Sequence, residues 1–244
     1  MREIKTCILD LDGVICDTAR YHFLAWKVLA ERLGITFTET DNERLKGVSR
    51  MESLDILLGL KHSGSGDSIG VGENPESPAL PGQTSGTIYT KAQKLAFAEE
   101  KNAVYVEFIR GMNQDELLPG VLDFLSYCRA RGIKTALGSV SRNAGLILDR
   151  LNLRDYFDAV IDGTKITRAK PDPEVFLKGA VATGADPSQC VVFEDARAGI
   201  EAAKRAGMAA IGIGTKEALS NADFIIDGFD AMEAKALLET AEKI

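Results

Sequence analysis

The sequence predicts an α/β fold with a doubly wound parallel sheet as its core and an all-helical cap inserted into that core. An apolar strand at residues 6–11 comes first, helices then follow one another without strands, and strands alternate with helices from residue 121 onward. Such alternation is typical of βαβ units in a parallel sheet that is covered on both faces. The first strand must join that sheet, so we predict a discontinuous core of residues 1–16 and 114–244 and a cap of residues 17–113.

The predicted cap starts with an amphipathic helix. Phe23, Trp26, Ala30 and Leu33 recur at helical spacing before Gly34 ends the helix. Further helices are predicted at residues 41–47, from a capping box at residues 49–52, and at residues 90–112. Residues 62–86 contain many Gly, Ser and Pro residues and almost no large apolar side chain, which predicts a mobile loop.

In the predicted core, a linker at residues 115–120 leads into the alternating elements. The predicted strands lie at residues 134–139, 159–162, 190–194, 209–214 and 224–226. The predicted helices lie at residues 121–131, 143–151, 173–184, 198–206 and 231–241.

Charge and hydropathy argue against several classes of protein. The chain of 244 residues has 29 Lys and Arg against 36 Asp and Glu, a net charge of −7. This balance disfavours nonspecific binding to nucleic acid or to an anionic membrane, and no apolar run is long enough to span a bilayer. The four cysteines form no Cys-x-x-Cys pair and are expected to be buried thiols without disulfides. We expect a monomeric, cytoplasmic protein with small-molecule partners.

Two carboxylates, Asp10 and Asp12, stand at the end of the first predicted strand. Because they are separated by one residue, their side chains point to the same side of a strand. Two buried carboxylates repel each other and lose hydration, and a bound divalent cation such as Mg²⁺ removes that difficulty. Two solvated acids at a strand end are the alternative, and a lone Asp-x-Asp does not decide between them.

Three later stretches place polar groups where other core strands end, which is where open parallel sheets bind ligands. The Ser139 hydroxyl and the N–H groups from Val140 onward can hold phosphate oxygens, although Ser139 alone reads as a helix N-cap. Lys170 precedes a helix start, where a bound anion or Asp10 explains it better than solvent does. Glu194 and Asp195 end a strand and supply further metal ligands, with helix capping by Asp195 as the alternative.

Together with Thr18, these stretches resemble the four motifs of the haloacid dehalogenase superfamily, in the same order along the chain. The resemblance implies phosphoryl transfer, with Asp10 as the nucleophile and Asp12 as the general acid and base. Ser139, Val140 and Lys170 then bind the transferring phosphoryl group. Members that displace halide generally lack the second Asp, because a halide leaving group needs no proton.

The cap stretches are more specific. Residues 17–26, 45–50, 100–102 and 139–143 are similar to the β-phosphoglucomutase family of that superfamily. This resemblance implies a magnesium-dependent isomerase of carbohydrate metabolism. Such an enzyme interconverts β-glucose 1-phosphate and glucose 6-phosphate through β-glucose 1,6-bisphosphate and is phosphorylated on Asp10 during turnover. The family often carries Ala and Lys where this chain has Val140 and Arg142.

The same resemblance implies a set of ligands. Mg²⁺ is held by the side chains of Asp10 and Asp195 and by the main-chain carbonyl of Asp12. Glu194 either binds the ion directly or contacts its ligands without touching the ion. The substrate-binding residues that it implies are His22, Trp26, Gly47, Val48, Arg50, Lys101, Ser141, Arg142 and Asn143.

Within this set, Arg50 and residues 141–143 bind the phosphate that is not being transferred, since an Arg fork suits phosphate oxygens. His22 and Lys101 orient Asp12 when the cap closes, and residues 47–48 contact sugar or exclude water. Individually these cap residues also fit ordinary roles, with Trp26 as core packing and Lys101 as a solvated charge.

Two other functions stay open at this point. A sugar-phosphate phosphatase of the same superfamily needs the same core residues and differs only in letting water reach the phosphoenzyme. A noncatalytic sugar-phosphate sensor is the third hypothesis, and the presence of both Asp10 and Asp12 argues against it. The spacing from Arg50 to Lys101 is longer than in typical members of the β-phosphoglucomutase family, because it contains residues 62–86.

Overall fold

The structure is a computed structural model that describes residues 3–45, 49–60, 89–231 and 233–243. The chain divides into two compact units, a sheet unit formed by Met1–Arg20 and Phe108–Ile244 and a helical unit formed by Tyr21–Glu107. The predicted core and cap had limits at residues 16/17 and 113/114, so each boundary of the units lies a few residues from its predicted place. The predicted loop at residues 62–86 lies outside the described residues.

A parallel sheet forms the sheet unit. Its strands in the described part of the chain are β1 (Thr6–Leu9), β2 (Lys134–Gly138), β3 (Ala159–Ile161), β4 (Cys190–Glu194), β5 (Ala209–Ile213) and β6 (Phe224–Ile226). They lie in the order β3-β2-β1-β4-β5-β6, and every neighbouring pair is parallel. β1 therefore joins the sheet between β2 and β4, and the predicted fold class is confirmed.

The described helices are α1 (Ala19–Arg32), α2 (Glu39–Glu43), α3 (Arg50–Leu58), α4 (Lys91–Arg110), α5 (Val121–Ala130), α6 (Ala144–Arg150), α7 (Glu174–Thr183), α8 (Arg197–Arg205) and α9 (Ala234–Ala241). Among them, none combines the length and apolarity that crossing a bilayer requires. Most bounds agree with the predictions to within one or two residues. α9 begins later than the predicted residue 231, and a short 3-10 helix, Gln114–Glu116, overlaps the start of the predicted linker at residues 115–120.

Successive residues of β4 show how the sheet is covered on both faces. Val192 packs in a buried cluster with Phe176 of α7 and Ile200 of α8. The next residue, Phe193, points to the opposite face and contacts Phe124 of α5, with ring centroids 4.9 Å apart. Strands buried on both faces read as continuous apolar runs, which explains why the short strands here lack polar alternation.

The helical unit has its own apolar core, which contains Trp26, Leu29, Leu54, Leu57 and Ala98. Two predictions in this unit were wrong. The helix expected at residues 41–47 is α2, which starts earlier because the Thr38 and Asp41 side chains form a reciprocal capping box. The capping box expected at residues 49–52 is a simple N-cap, in which the Ser49 hydroxyl accepts a hydrogen bond from the Glu52 N–H at 3.3 Å.

The four cysteines are buried free thiols, as predicted. The Sγ atoms of Cys7 and Cys128 lie 4.0 Å apart, well beyond the length of a disulfide bond.

Candidate active site

A buried lysine joins two carboxylates where β1 and β4 end. Lys170 Nζ lies 2.5 Å from Asp10 Oδ1 and 2.7 Å from Glu194 Oε2. Asp10 and Glu194 are neighbours because β1 and β4 pair in parallel and end together, with Asp10 N–H donating to the Phe193 carbonyl. The three side chains are at most 10% exposed. The alternative of a solvated surface lysine is therefore wrong for Lys170.

The electrostatics of this triad follow from burial. Burial works against a charged Lys170, but Asp10 and Glu194 outweigh it and raise the pKa of the ammonium above its ordinary value. Burial, and next to it the charge of Asp10, raises the pKa of Glu194 to about 8, although Lys170 opposes this. The ammonium therefore stays charged, and it is the group that compensates the carboxylates.

Asp12 has a different environment from Asp10. Its Oδ1 accepts a hydrogen bond from the Thr18 hydroxyl, and its side chain is partly exposed. Loss of hydration is the main cause that raises the pKa of Asp12 to about 7, and the charge of Asp10 adds to it. A carboxyl group with this pKa is populated in both protonation states near neutral pH, which suits a general acid and base. The contact with Thr18 is a feature that the sequence did not predict.

Three carboxylates form a candidate metal centre. One oxygen each of Asp10, Glu194 and Asp195 lies within 4.8 Å of the others. Such oxygens are the ligands that Mg²⁺ prefers, so the donor set fits the predicted ion. The Asp12 side chain is not part of this group, and its predicted ligand is the main-chain carbonyl, which stays a prediction. Glu194 belongs to the group, so the structure brings it close enough to be a direct ligand.

Two glycines, which the site predictions did not include, make room for the acidic pair. Gly13 has a φ of 76°, and a side chain there would overlap the Asp195 carboxylate. A side chain at Gly199 would overlap the Glu194 carboxylate. Each glycine leaves a signal in the sequence, since Gly13 follows Asp12 directly and Gly199 is a poor helix former in the first turn of α8.

The residues after β2 form a tight turn. The Ser139 hydroxyl accepts a hydrogen bond from the Ser141 N–H at 3.1 Å, and the Ser141 hydroxyl accepts one from the Asn143 N–H at 3.3 Å. Ser139 is buried, whereas Val140 is 45% exposed. Asn143, not Ser139, is the N-cap of α6, so the N-cap alternative for Ser139 is wrong. Arg142 lies in the same turn. Phosphate binding by residues 139–143 stays a prediction.

The helical unit contains a buried pair of basic residues. Lys101 is 3% exposed, and its Nζ lies 2.7 Å from His22 Nδ1 and 4.8 Å from the ring centroids of Trp26 and Tyr105. Burial, followed by the charges of Lys101 and Arg50, lowers the pKa of His22 well below its ordinary value. The imidazole is therefore neutral, and its Nδ1 accepts a hydrogen bond from the Lys101 ammonium. Lys101 is not the solvated charge of the alternative interpretation.

Arg50 lies at the start of α3 and donates from Nη2 to Asn102 Oδ1 at 2.9 Å. The predictions singled out Arg50 but gave no role to Asn102, although it follows Lys101 directly. Trp26 packs in the apolar core of the helical unit, which agrees with its alternative role. The remaining two predicted substrate residues, Gly47 and Val48, lie outside the described residues.

Comparison with known proteins agrees with this geometry. A family model described as haloacid dehalogenase-like hydrolase matches residues 4–207, most of the chain. The chain belongs to this family. It is 41% identical over 223 residues to a β-phosphoglucomutase of Bacillus subtilis, covering 91% of this chain and 89% of the relative.

Other relatives are similar at greater distance. A β-phosphoglucomutase structure from Clostridium difficile superposes with a TM-score of 0.81 at 35% identity and covers 98% of both chains. A phosphorylated carbohydrates phosphatase of Thermotoga maritima is 31% identical over 207 residues, covering 84% of this chain and 82% of the relative. The predicted resemblance to the β-phosphoglucomutase family is confirmed. The protein is thus an enzyme of a family whose members include both sugar-phosphate mutases and phosphatases.

Proposed function

We propose that this enzyme is a β-phosphoglucomutase, which interconverts β-glucose 1-phosphate and glucose 6-phosphate through β-glucose 1,6-bisphosphate. The observation that carries the proposal is Arg50 in the helical unit, whose Nη2 donates to Asn102 Oδ1 at 2.9 Å; the buried pair His22 and Lys101, which is proposed to orient Asp12, lies in the same unit. A phosphatase needs groups for one phosphate only, whereas a mutase must also bind the phosphate that is not transferred. The identity of 41% to the Bacillus subtilis β-phosphoglucomutase supports the same function.

In the proposed reaction, a carboxylate oxygen of Asp10 attacks phosphorus of the bisphosphate, and the bond to the sugar oxygen breaks. Asp12 gives its proton to that leaving oxygen and takes a proton from a sugar hydroxyl when the phosphoryl group returns. The pKa of about 7 for Asp12 favours transfer in both directions near neutral pH. Lys170 stays hydrogen-bonded to Asp10, and its positive charge offsets the negative charge of the transferring phosphoryl group.

The carboxylates Asp10, Glu194 and Asp195 would hold Mg²⁺, together with the main-chain carbonyl of Asp12. When bound, the ion supplies positive charge that stabilises the transferring phosphoryl group. Arg50 would bind the phosphate that is not being transferred, because its guanidinium presents several donors in one plane. Ser141, Arg142 and Asn143 are proposed as further ligands of that phosphate.

A sugar-phosphate phosphatase is the second candidate function, because relatives at 31–32% identity carry that name. The two functions share the acid, the nucleophile and the lysine, so they differ in the acceptor of the phosphoryl group. The mutase transfers it to a sugar hydroxyl, and the phosphatase transfers it to water.

A ³¹P NMR time course with β-glucose 1-phosphate, Mg²⁺ and a trace of β-glucose 1,6-bisphosphate tests the proposal, with the α anomer as the matched control. Formation of glucose 6-phosphate from the β anomer alone is the expected result. Inorganic phosphate without glucose 6-phosphate would instead support the phosphatase. No change in either sample would contradict both functions for these substrates.

A further inference from the structure

The segment that contains Lys170 is closed by a single carboxylate. Glu174 Oε2 accepts hydrogen bonds from the Thr167 N–H at 3.0 Å, the Thr167 hydroxyl at 2.9 Å and the Arg168 N–H at 2.9 Å. Glu174 begins α7, and its N–H donates to Asp172 Oδ1 at 3.0 Å. Residues 167–174 therefore form a closed loop, with both ends joined at Glu174 and Lys170 near its middle.

This closure matters because the chain just before Lys170 lacks regular secondary structure. Residues 163–169 form neither helix nor strand, and most of them are exposed. Ile166 packs partly against the core of the sheet unit, but Thr167, Arg168 and Ala169 are exposed. The Glu174 side chain, in contrast, is only 11% exposed, so a well-buried carboxylate holds these exposed residues. Three further contacts order this stretch: the Asp172 N–H donates to the Ala169 carbonyl at 3.0 Å, the Arg168 guanidinium lies 3.1 Å from the Asp172 carboxylate, and Lys178 Nζ donates to the Lys165 carbonyl at 2.5 Å. The bonds of Glu174 Oε2 are the ones that join residues 167 and 168 directly to the start of α7.

Lys170 needs an accurate position, since its Nζ contacts two different carboxylates at 2.5 and 2.7 Å. A shift of about 1 Å breaks at least one of these contacts, and misplacement of that size costs about 100-fold in rate in enzymes. We propose that Glu174 is a positioning residue for Lys170. Glu174 holds the loop of residues 167–174 closed and so keeps the Lys170 ammonium in contact with the nucleophile Asp10. This inference rests on the proposed phosphoryl transfer through Asp10.

Glu174 keeps its charge throughout the range in which such an enzyme is assayed. Its hydrogen bonds with Lys178, Arg168 and Thr167 lower its pKa to about 2. The ammonium of Lys178 lies 2.6 Å from Glu174 Oε1, on the oxygen that does not bind the loop. Substitution of Lys178 can therefore remove the ion pair while Oε2 keeps its three donors.

A purely structural role is the competing explanation, since an acidic residue in the first turn of a helix stabilises the helix dipole. Glu174→Ala removes the loop bonds and the dipole contribution, whereas Glu174→Gln removes the charge but keeps an oxygen that can accept from residues 167 and 168. Lys178→Met is the matched control, because it removes the partner of Oε1 and the bond of Lys178 Nζ to the Lys165 carbonyl but leaves the three bonds of Oε2 in place. Comparison of these variants separates loop closure from helix stability.

The experiment measures kcat and KM for β-glucose 1-phosphate and for the generic substrate p-nitrophenyl phosphate. Rates are expressed per active site, counted as the folded fraction of each variant from its thermal unfolding curve, so that a smaller folded fraction does not lower them. Glu174→Ala should lower kcat about 10- to 100-fold with KM within about twofold of wild type. Glu174→Gln should recover most of the loss, and Lys178→Met should stay within about threefold of wild type.

Several results would overturn the inference. A Glu174→Ala enzyme with wild-type kcat per active site would do so, and so would a loss in Lys178→Met as large as in Glu174→Ala. Wild-type enzyme that hydrolyses p-nitrophenyl phosphate but does not isomerise the sugar phosphate contradicts only the proposed function. In that case the Glu174 variants still test the positioning role with p-nitrophenyl phosphate, and turnover of neither substrate would overturn both ideas.

Discussion

Replacement of Lys170 by Met should strongly destabilise the sheet unit, because one ammonium compensates two buried carboxylates. Lys170 contacts Asp10 at 2.5 Å and Glu194 at 2.7 Å, and the exposed fractions of these carboxylate side chains are 10% and 1%. Met has a similar volume, so the substitution mainly removes the charge. Removal of one partner from a buried ion pair typically costs about 3–5 kcal/mol, since the remaining charge stays buried.

The size of this effect can be measured by thermal unfolding in EDTA, which keeps metal ions from replacing the lost charge. For a protein of this size, each kcal/mol corresponds to about 2–4 °C, so Tm should fall by about 6–20 °C. Lys178→Met is the control, because Lys178 is 43% exposed and its surface ion pair with Glu174 contributes about 1 kcal/mol or less. The double variant Lys170→Met/Glu194→Gln should recover part of the loss. A fall in Tm of under about 2 °C for Lys170→Met would refute the assignment of Lys170 as the compensating charge.

Three further predictions concern catalysis, protonation and metal. Asp10→Asn should abolish phosphoenzyme formation and turnover while leaving the circular dichroism spectrum unchanged, because an amide oxygen is a poor nucleophile; retained turnover would exclude Asp10 as the nucleophile. The folded-state pKa of His22 lies below its unfolded value near 6.5, so its contribution to the free energy of unfolding is complete above that pH and is lost as pH falls below it. Because of His22, the free energy of unfolding should change by at most about 1.4 kcal/mol per pH unit. A His22→Gln variant with the same urea midpoints as wild type at both pH 7.5 and pH 5 would contradict this contribution of His22. Removal of metal with EDTA should abolish turnover, and readdition of Mg²⁺ should restore it; full activity in EDTA would argue against a metal at Asp10, Glu194 and Asp195.

The parts of the site that lie at strand ends could be predicted from the sequence. Parallel strands end at the same edge of a sheet, so an apolar run followed by acids is enough to bring Asp10 and Glu194 together once the βαβ order is recognised. Ser139 follows the same rule, because it comes directly after β2, which pairs with β1. To predict these residues, only the periodicity of apolar side chains and the order of helices and strands are required, and a single sequence contains both.

Features that depend on the path of loops could not be predicted in this way. The bonds of Glu174 to residues 167 and 168 link exposed positions that follow no period, and Glu174 by itself looks like an ordinary first-turn acid. In the helical unit the start of α2 was misplaced, because Thr38 was not recognised as an N-cap; its reciprocal bonds with Asp41 start the helix at Glu39 instead of residue 41.

The charge balance of the site connects these features to the proposed reaction. Within the described residues, Asp10, Asp12, Glu194 and Asp195 stand at this edge of the sheet, and Lys170 is the cation that contacts two of them. A phosphoryl group would bring further negative charge, so an excess of carboxylates disfavours its entry unless a divalent cation joins the ammonium. The two positive charges would then differ in kind, since the metal can exchange with solvent while Lys170 is fixed by the chain. Since no ion from solvent can replace Lys170, its position depends on the chain around it, and this is why we propose that the bonds of Glu174 to residues 167 and 168 affect catalysis.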